Sequence, residues 1–148
     1  MQRIIVVMSL ILCVFISVAN ASEKDWNNDL DLALKKAQKS KKAVLVDFTG
    51  SDWCTWCIRL HEEVFAKPEF NKWAKNNLEL VVLDFPQNKP QNEDLKKKNH
   101  ELAEIYGVRG FPTVLILDSN GKLIGRTGYL AGGVKSYIKH LQTIISTK

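Results

Sequence analysis

Two cysteines stand three positions apart in residues 53–57, which read Trp-Cys-Thr-Trp-Cys. This segment follows the apolar, β-branched run of residues 43–48 and precedes a helical pattern, so it lies where a strand gives way to a helix. A thiol at a helix N-terminus is favoured as a thiolate by unpaired backbone N–H groups and by the helix dipole. The second thiol follows about one turn later, close enough to close a small ring. The spacing therefore predicts a reversible dithiol/disulfide formed by Cys54 and Cys57.

The first 21 residues have the pattern of a secretion signal. Arg3 supplies a positive charge, residues 4–18 form an apolar stretch, and residues 19–21 form an Ala-Asn-Ala cleavage pattern. The apolar stretch of about 15 residues is shorter than the roughly 20 that a membrane-spanning helix needs. We therefore expect cleavage after Ala21, in preference to a retained anchor. Cleavage removes Cys13 and leaves two cysteines in a single mature domain, residues 22–148.

Two non-redox explanations of the cysteine pair are weaker. A disulfide that closes so short a loop restricts the unfolded chain little, so a purely structural bridge gains little stability. A zinc site would need four ligands, and His61, His100 and His140 are scattered along the chain, so we predict no metal. The formal net charge of +5 is spread among mixed acidic and basic residues, which predicts a solvated surface and no nucleic-acid partner.

Hydrophobic periodicity predicts strands and helices in alternation, followed by a hairpin at Asn120 and Gly121. The predicted helices span residues 25–40, 54–64, 69–75, 93–106 and 133–145, and the predicted strands span residues 43–48, 78–85, 113–117 and 122–125. Either Ser51 or Asp52 is predicted to cap the helix near Cys54. The inner face of the helix over residues 93–106 is predicted to comprise Leu95, Leu102, Ile105 and Tyr106. This order predicts an α/β domain with a central mixed sheet covered by helices on both faces.

With this order and the cysteine motif, the chain resembles the thioredoxin superfamily over roughly residues 25–145. Residues 107–113, Gly-Val-Arg-Gly-Phe-Pro-Thr, are similar to the cis-proline segment of that family. Residues 46–54 look most like exported thioredoxin-like reductases, a group that includes the periplasmic C-terminal domain of the DsbD transporter. The resemblance implies a thioredoxin fold. Thr55-Trp56 differs from the dipeptides of the better known members, and the loop before Trp53 is one residue longer than that of thioredoxin.

The resemblance also implies roles for individual residues. Cys54 is the expected nucleophile, which forms a mixed disulfide with the substrate, and Cys57 then attacks Cys54 to release the product. Pro112 is expected to be cis, with the backbone of Phe111 free to pair with an extended substrate; an ordinary trans proline is the alternative. Asp47, on a buried strand, is expected to relay a proton to and from Cys57, unless it faces water at the edge of the strand.

Trp53 and Trp56 are expected to shape the rim of the site and to exclude water, although they could equally serve packing alone. His61 lies four residues after Cys57, where a regular helix would bring it to the same face. Helical spacing is weak evidence for a catalytic role, so we favour a surface histidine.

The expected function is that of an exported, periplasmic thiol–disulfide oxidoreductase, acting mainly as a reductase of protein disulfides. It would use the Cys54–Cys57 disulfide and no other cofactor, because the chain has no flavin or nicotinamide fingerprint. By resemblance, electrons would come from a membrane thiol transporter of the DsbD type. The protein is expected to be a monomer. The alternatives are a disulfide oxidant or isomerase, and a non-enzymatic module that uses the two cysteines to handle a metal or haem.

Overall fold

A five-stranded mixed β-sheet forms the middle layer of residues 25–147, the part of the chain described by the computed structural model. The strands are β1 (Trp26–Asn27), β2 (Ala43–Thr49), β3 (Leu78–Asp84), β4 (Thr113–Leu117) and β5 (Leu123–Thr127). The helices are α1 (Leu30–Ser40), α2 (Thr55–Leu60), α3 (Pro68–Asn77), α4 (Glu93–Ile105) and α5 (Gly133–Ser146). A π-helical segment, His61–Phe65, continues α2 directly.

The strands are ordered β1-β3-β2-β4-β5. Strands β1, β3 and β2 run parallel, whereas β4 is antiparallel to β2 and β5 is antiparallel to β4. All seven residues of β2 are buried, because this strand lies inside the sheet and has a layer of helices on each face. The predicted α/β thioredoxin fold, a central mixed sheet with helices on both faces, is confirmed.

Successive residues of β2 face opposite sides of the sheet and therefore belong to two different cores. Leu45 packs in a core that includes Leu60 of α2, together with buried side chains of α3 and α5. Val44 and Val46 pack in the other core, which includes Leu30 of α1. The chain leaves β2 between these two cores, at the carboxyl end of the strand, where open α/β sheets commonly place their functional sites.

The first helix is shorter than predicted, because residues 25–40 divide into a strand and a helix. Trp26 pairs with Leu80 in the parallel bridge between β1 and β3, and its ring lies 5.1 Å from that of Phe65. Helix α1 begins only after Asp29, whose carboxylate accepts a hydrogen bond from the backbone N–H of Leu32 at 3.1 Å. The cap sets the start of the helix, which hydrophobic spacing alone did not locate. The predicted helix over residues 54–64 covers α2 together with most of the π-helical segment, and the other predicted helix and strand boundaries are correct to within two residues.

The predicted inner face of α4 is wrong at Ile105, whose side chain is 74% exposed. Leu95, Asn99 and Leu102 are three or four positions apart and form the inward-facing row of the helix. Ile105 lies outside that row, on the side that faces solvent. Asn99 is the buried residue of α4, and its side-chain amide donates to the carbonyl oxygen of Asp84 at 2.9 Å. A hydrogen-bonded polar residue thus occupies a core position where the apolar pattern predicted none.

The expected secretion signal, residues 1–21, lies outside the described residues. Within residues 25–147, no helix has the length and apolar character that crossing a membrane requires.

Candidate active site

Cys54 and Cys57 are joined by a disulfide, with their Cα atoms 5.2 Å apart, so the structure describes the oxidised protein. Cys54 is the N-cap residue of α2, and its Sγ accepts a hydrogen bond from the backbone N–H of Cys57 at 3.2 Å. The prediction that Ser51 or Asp52 caps this helix is wrong, because both side chains bond elsewhere. A backbone N–H that already points at Sγ of Cys54 would stabilise the thiolate after reduction.

Gly50 connects the end of β2 to both cysteines. Its carbonyl oxygen accepts from the N–H of Cys54 at 2.9 Å, and its own N–H donates to Sγ of Cys57 at 3.5 Å. Gly50 also lies under the ring of Trp53, where an added Cβ atom would come within 2.5 Å of the ring. A side chain at this position would therefore displace the indole next to the disulfide.

Asp47 lies on the sheet face that α2 covers. It follows Leu45 by two positions on β2, so both side chains point to the same face, and Leu45 belongs to the core beneath that helix. Its side chain is buried, and Oδ1 has no hydrogen-bond partner. Burial raises the pKa of Asp47 to about 7, and the nearby charge of Asp84 adds to the increase. A carboxyl group with this pKa can both hold and release a proton near neutral pH, as its expected relay role requires.

Asp84 is a residue that sequence reasoning missed. It ends β3 opposite Thr49 of β2, and its carboxylate accepts from the N–H of Ser51 at 2.9 Å and from the Ser51 hydroxyl at 2.6 Å. It therefore ties the loop before the cysteines to the neighbouring strand and brings a negative charge near Asp47. The only sequence signal was an acidic residue at the end of a buried apolar strand.

The cis-proline segment lies beside the cysteine loop. The peptide bond between Phe111 and Pro112 is cis, as predicted, and Thr113 pairs with Phe48 near the end of β2. The Phe111 ring meets Trp53 edge to face, with ring centres 6.0 Å apart. The sheet thus brings together two segments that are more than fifty residues apart in the sequence.

Trp53 and Trp56 stand on different sides of the disulfide and are held differently. The Trp53 indole N–H donates to the carbonyl oxygen of Phe85 at 2.7 Å. Trp56 is 52% exposed, and its ring centre lies 5.0 Å from that of Tyr129, in the loop between β5 and α5. Both side chains are exposed, and their expected role in shaping the rim of the site and excluding water stays a prediction.

A small cluster that sequence reasoning missed supports Trp56. The Arg59 guanidinium lies 5.6 Å from the Trp56 ring centre and 5.5 Å from that of Tyr129. Glu63 accepts from Arg59 Nε at 2.6 Å and from the Tyr129 hydroxyl at 2.8 Å. The four-residue spacing of Arg59 and Glu63 was a usable helical signal. Nothing in the local sequence pointed to Tyr129, which reaches the cluster through the tertiary fold.

A groove of about 590 Å³ opens on the Trp53 side of the disulfide. Its lining combines apolar and polar side chains, as is common in sites that bind ligands. The apolar surface comes from Trp53, Phe85, Ala103, Val108 and Phe111. The polar surface comes from Gln87, Gln91, Lys96, His100, Glu104 and Arg109.

The three histidines are not gathered at the cysteines. His61 is exposed on the π-helical segment, His100 lies edge-on to Phe85 with ring centres 5.2 Å apart, and His140 contacts the Thr127 hydroxyl at 3.0 Å. In the described part of the chain, no three His, Cys, Asp or Glu side chains are grouped so that they could hold a metal ion.

Replacing Asp47 with Asn should change how stability depends on pH. An unfolded Asp titrates near about 3.9, whereas in the folded protein the pKa of Asp47 is about 7. Between these values the unfolded chain binds fewer protons, so the free energy of unfolding falls as pH rises, by about 1.4 kcal/mol per pKa unit of difference. We expect Asp47→Asn to lack this fall when urea unfolding of the oxidised proteins is compared at about pH 4.5 and about pH 8.5.

A matched control for this comparison is Asp25→Asn, which makes the same substitution at an exposed carboxyl. Its unfolding free energy should follow that of the wild type at both pH values. Parallel pH profiles for the wild type and Asp47→Asn would contradict the raised pKa.

Comparison with known proteins agrees with this geometry. Residues 30–142 match the Thioredoxin-like domain family. The chain is 34% identical to the disulfide bond reductase DsbH of Chlamydia pneumoniae over 86% of its own length and 76% of that protein. It is 30% identical to the thiol:disulfide interchange protein DsbD of Photorhabdus laumondii over 80% of its own length, but it spans only 22% of that longer protein.

A solved structure of a DsbH oxidoreductase has the same fold, with a TM-score of 0.77 and 34% identity over 83% of this chain and 85% of that one. Relatives with these names and the Cys54–Cys57 pair mark the chain as an enzyme of thiol–disulfide exchange. The protein therefore belongs to the thioredoxin-like thiol–disulfide oxidoreductases.

Proposed function

We propose that this protein is an exported oxidoreductase that mainly reduces the disulfides of periplasmic proteins. The observation that carries the proposal is the Cys54–Cys57 disulfide at the start of α2, beside the cis-proline segment and an open apolar groove. The relative named a disulfide bond reductase supports reduction as the direction of the reaction.

The proposed reaction begins with the reduced protein. The Cys54 thiolate attacks one sulfur of the substrate disulfide, which forms a mixed disulfide and releases the other substrate sulfur as a thiolate. Cys57 then loses its proton to an acceptor in the protein and attacks Sγ of Cys54, which releases the second substrate sulfur as a thiolate and forms the Cys54–Cys57 disulfide. Two electrons pass from the enzyme to the substrate, and the two product thiolates take their protons from water.

Asp47 is the proposed acceptor of the Cys57 proton. Its buried position beneath α2 and its pKa of about 7 suit a group that is ionised when it receives the proton and neutral afterwards. The absence of a hydrogen-bond partner at Oδ1 leaves this oxygen free for the transfer. The burial of Asp47, where water has little access, supports this proposed role.

The proposed substrate contacts are Trp53, Trp56, Phe111 and Pro112. Extended peptides commonly bind such sites through backbone hydrogen bonds, while pockets accept the side chains. Phe111 and Trp53 line the apolar groove, and Trp56 forms an exposed ring on the other side of the disulfide. A protein disulfide in an exposed, extended segment is therefore the proposed substrate class.

The enzyme requires a supply of electrons after each reaction, because the bacterial periplasm is kept oxidising. The proposed donor is a membrane thiol transporter of the DsbD type, which would reduce the Cys54–Cys57 disulfide by the same exchange chemistry. The protein is proposed to work as a monomer and without a bound cofactor.

Export is proposed to depend on residues 1–21, with cleavage after Ala21. If so, intact-mass measurement of protein recovered from the periplasm of a bacterial host should show a chain that begins at Ser22. A full-length mass in the membrane fraction would instead identify a retained anchor.

The Cys57→Ser variant should accumulate mixed disulfides with protein substrates, because the second attack is removed while Cys54 still reacts. The measurement is non-reducing gel electrophoresis of periplasmic extract, with release of the trapped partners by dithiothreitol. Cys54→Ser is the matched control, since it also keeps one cysteine but removes the proposed nucleophile, and it should trap far less. Equal trapping by the two variants would contradict the order of attack. A pair that serves only to bind a metal or haem would trap nothing in either.

The reduction potential of the Cys54–Cys57 pair decides the direction of the reaction. It can be measured by equilibrating the mature protein with graded thiol/disulfide buffers and following the fluorescence of Trp53 and Trp56. We expect a value near or below about −230 mV, towards the thioredoxin end of the scale. A value near about −120 mV, typical of a strong oxidant, would reverse the proposed electron flow.

A further inference from the structure

Asp52 makes an unusual set of bonds to a loop outside its own segment. Its Oδ1 accepts from the N–H of Gln87 at 2.9 Å, and its Oδ2 accepts from the N–H groups of Asn88 at 2.8 Å and Lys89 at 2.9 Å. Three consecutive backbone N–H groups that converge on one anion form a nest, a strong anion-binding arrangement. These bonds hold the pKa of Asp52 below its usual value, so the carboxylate stays charged at neutral pH.

The segment that Asp52 binds is the β3–α4 loop, residues 85–92. The residues on either side of Asp52 bind the same region: Trp53 donates to the carbonyl oxygen of Phe85, and the Ser51 hydroxyl contacts Asp84 and accepts from Lys89 Nζ at 3.1 Å. The three residues immediately before Cys54 are therefore all attached to the end of β3 and the loop that follows it.

The β3–α4 loop forms one wall of the groove beside the disulfide. This wall is lined by Phe85, Pro86, Gln87 and Gln91. The part nearest the cysteines is lined by Trp53 and Phe111. Pro86 and Pro90 have no backbone N–H, so two positions of the loop cannot be fixed by donated backbone hydrogen bonds. The bonds from residues 87–89 to Asp52 hold the stretch between these prolines against the cysteine loop.

We propose that Asp52 is a positioning residue that holds the β3–α4 loop in place as the wall of the groove and thereby determines the affinity of the enzyme for protein disulfides. This inference rests on the proposed reductase function. A protein substrate uses the groove because its chain continues on both sides of the disulfide. A small disulfide reaches Cys54 without the groove, so its reaction does not depend on where the loop lies. Asp52 takes no part in the electron transfer.

The test uses single-turnover reduction of insulin and of hydroxyethyl disulfide by the pre-reduced mature protein, followed by tryptophan fluorescence. With insulin, Asp52→Ala should raise the half-saturating substrate concentration by about tenfold while the maximum rate stays close to that of the wild type. With hydroxyethyl disulfide, the rate constant should change by less than about twofold. Asp94→Ala is the control, since it removes an exposed carboxylate just beyond the same loop, and it should match the wild type in both reactions.

Backbone amide exchange, measured residue by residue by NMR, tests the anchoring separately from catalysis. Asp52→Ala should lose protection at Gln87, Asn88 and Lys89. Asp52→Asn keeps one acceptor oxygen, which can occupy the place of Oδ2 and retain the bonds from Asn88 and Lys89. It should therefore lose protection only at Gln87 and show an intermediate half-saturating concentration for insulin. Because Asp52→Asn is the smaller change, it tests the role of Asp52 even if Asp52→Ala does not fold.

Three results would overturn the inference. One is unchanged protection of residues 87–89 in the variants. Another is an equal effect of Asp52→Ala on insulin and on hydroxyethyl disulfide, which would indicate damage to the cysteines themselves. The third is unchanged saturation by insulin in a variant whose loop has lost protection. If the wild type reduced neither disulfide, the proposed function itself would fail, whereas normal wild-type activity with unaffected variants would remove only the role of Asp52.

Discussion

The burial of β2 is the constraint on which the rest of this structure depends. Seven consecutive buried residues require helices on both faces of the sheet. The chain leaves the sheet where this buried strand ends, in the loop that carries the cysteines. The same burial encloses Asp47, whose carboxyl cannot be hydrated and has a raised pKa as a result. One strand therefore determines both where the disulfide lies and how a proton can be held beneath it.

The surroundings of the disulfide are built from two different kinds of interaction. On the Trp53 side, hydrogen bonds that are accepted by carboxylates and a backbone carbonyl join the cysteine loop to the end of β3 and the loop after it. On the Trp56 side, a tilted ring contact with Tyr129, the Arg59 guanidinium and an ion pair hold an exposed indole against the loop before α5. A carboxylate bonded to several donors keeps a fixed geometry, whereas a surface ion pair with a stacked guanidinium is weaker. The groove side is therefore held by the stronger set of bonds.

The buried carboxyl of Asp47 is unfavourable for folding, and it lies at the functional end of the sheet. A buried acid without a hydrogen-bond partner stabilises the protein less than an apolar side chain would. Perturbed ionisable groups of this kind are concentrated at functional sites. In a family that exchanges thiols and disulfides, the group that must gain and lose a proton at each turnover is a cysteine, and Asp47 lies under the helix that carries both of them.

Much of this protein followed from local sequence. The cysteine spacing, the apolar strands and the turn at Asn120 and Gly121 depend on neighbouring residues, and they predicted the α/β class and the disulfide, whereas the thioredoxin fold was implied by the family resemblance. Pro112 was found through resemblance to a family motif. The tertiary structure alone decided that Tyr129 supports Trp56, that Asp84 lies near Asp47 and that Asp52 binds a distant loop when it was expected to cap a helix. These contacts join segments far apart in the chain, and hydrophobic periodicity carries no information about which polar groups meet across such a distance.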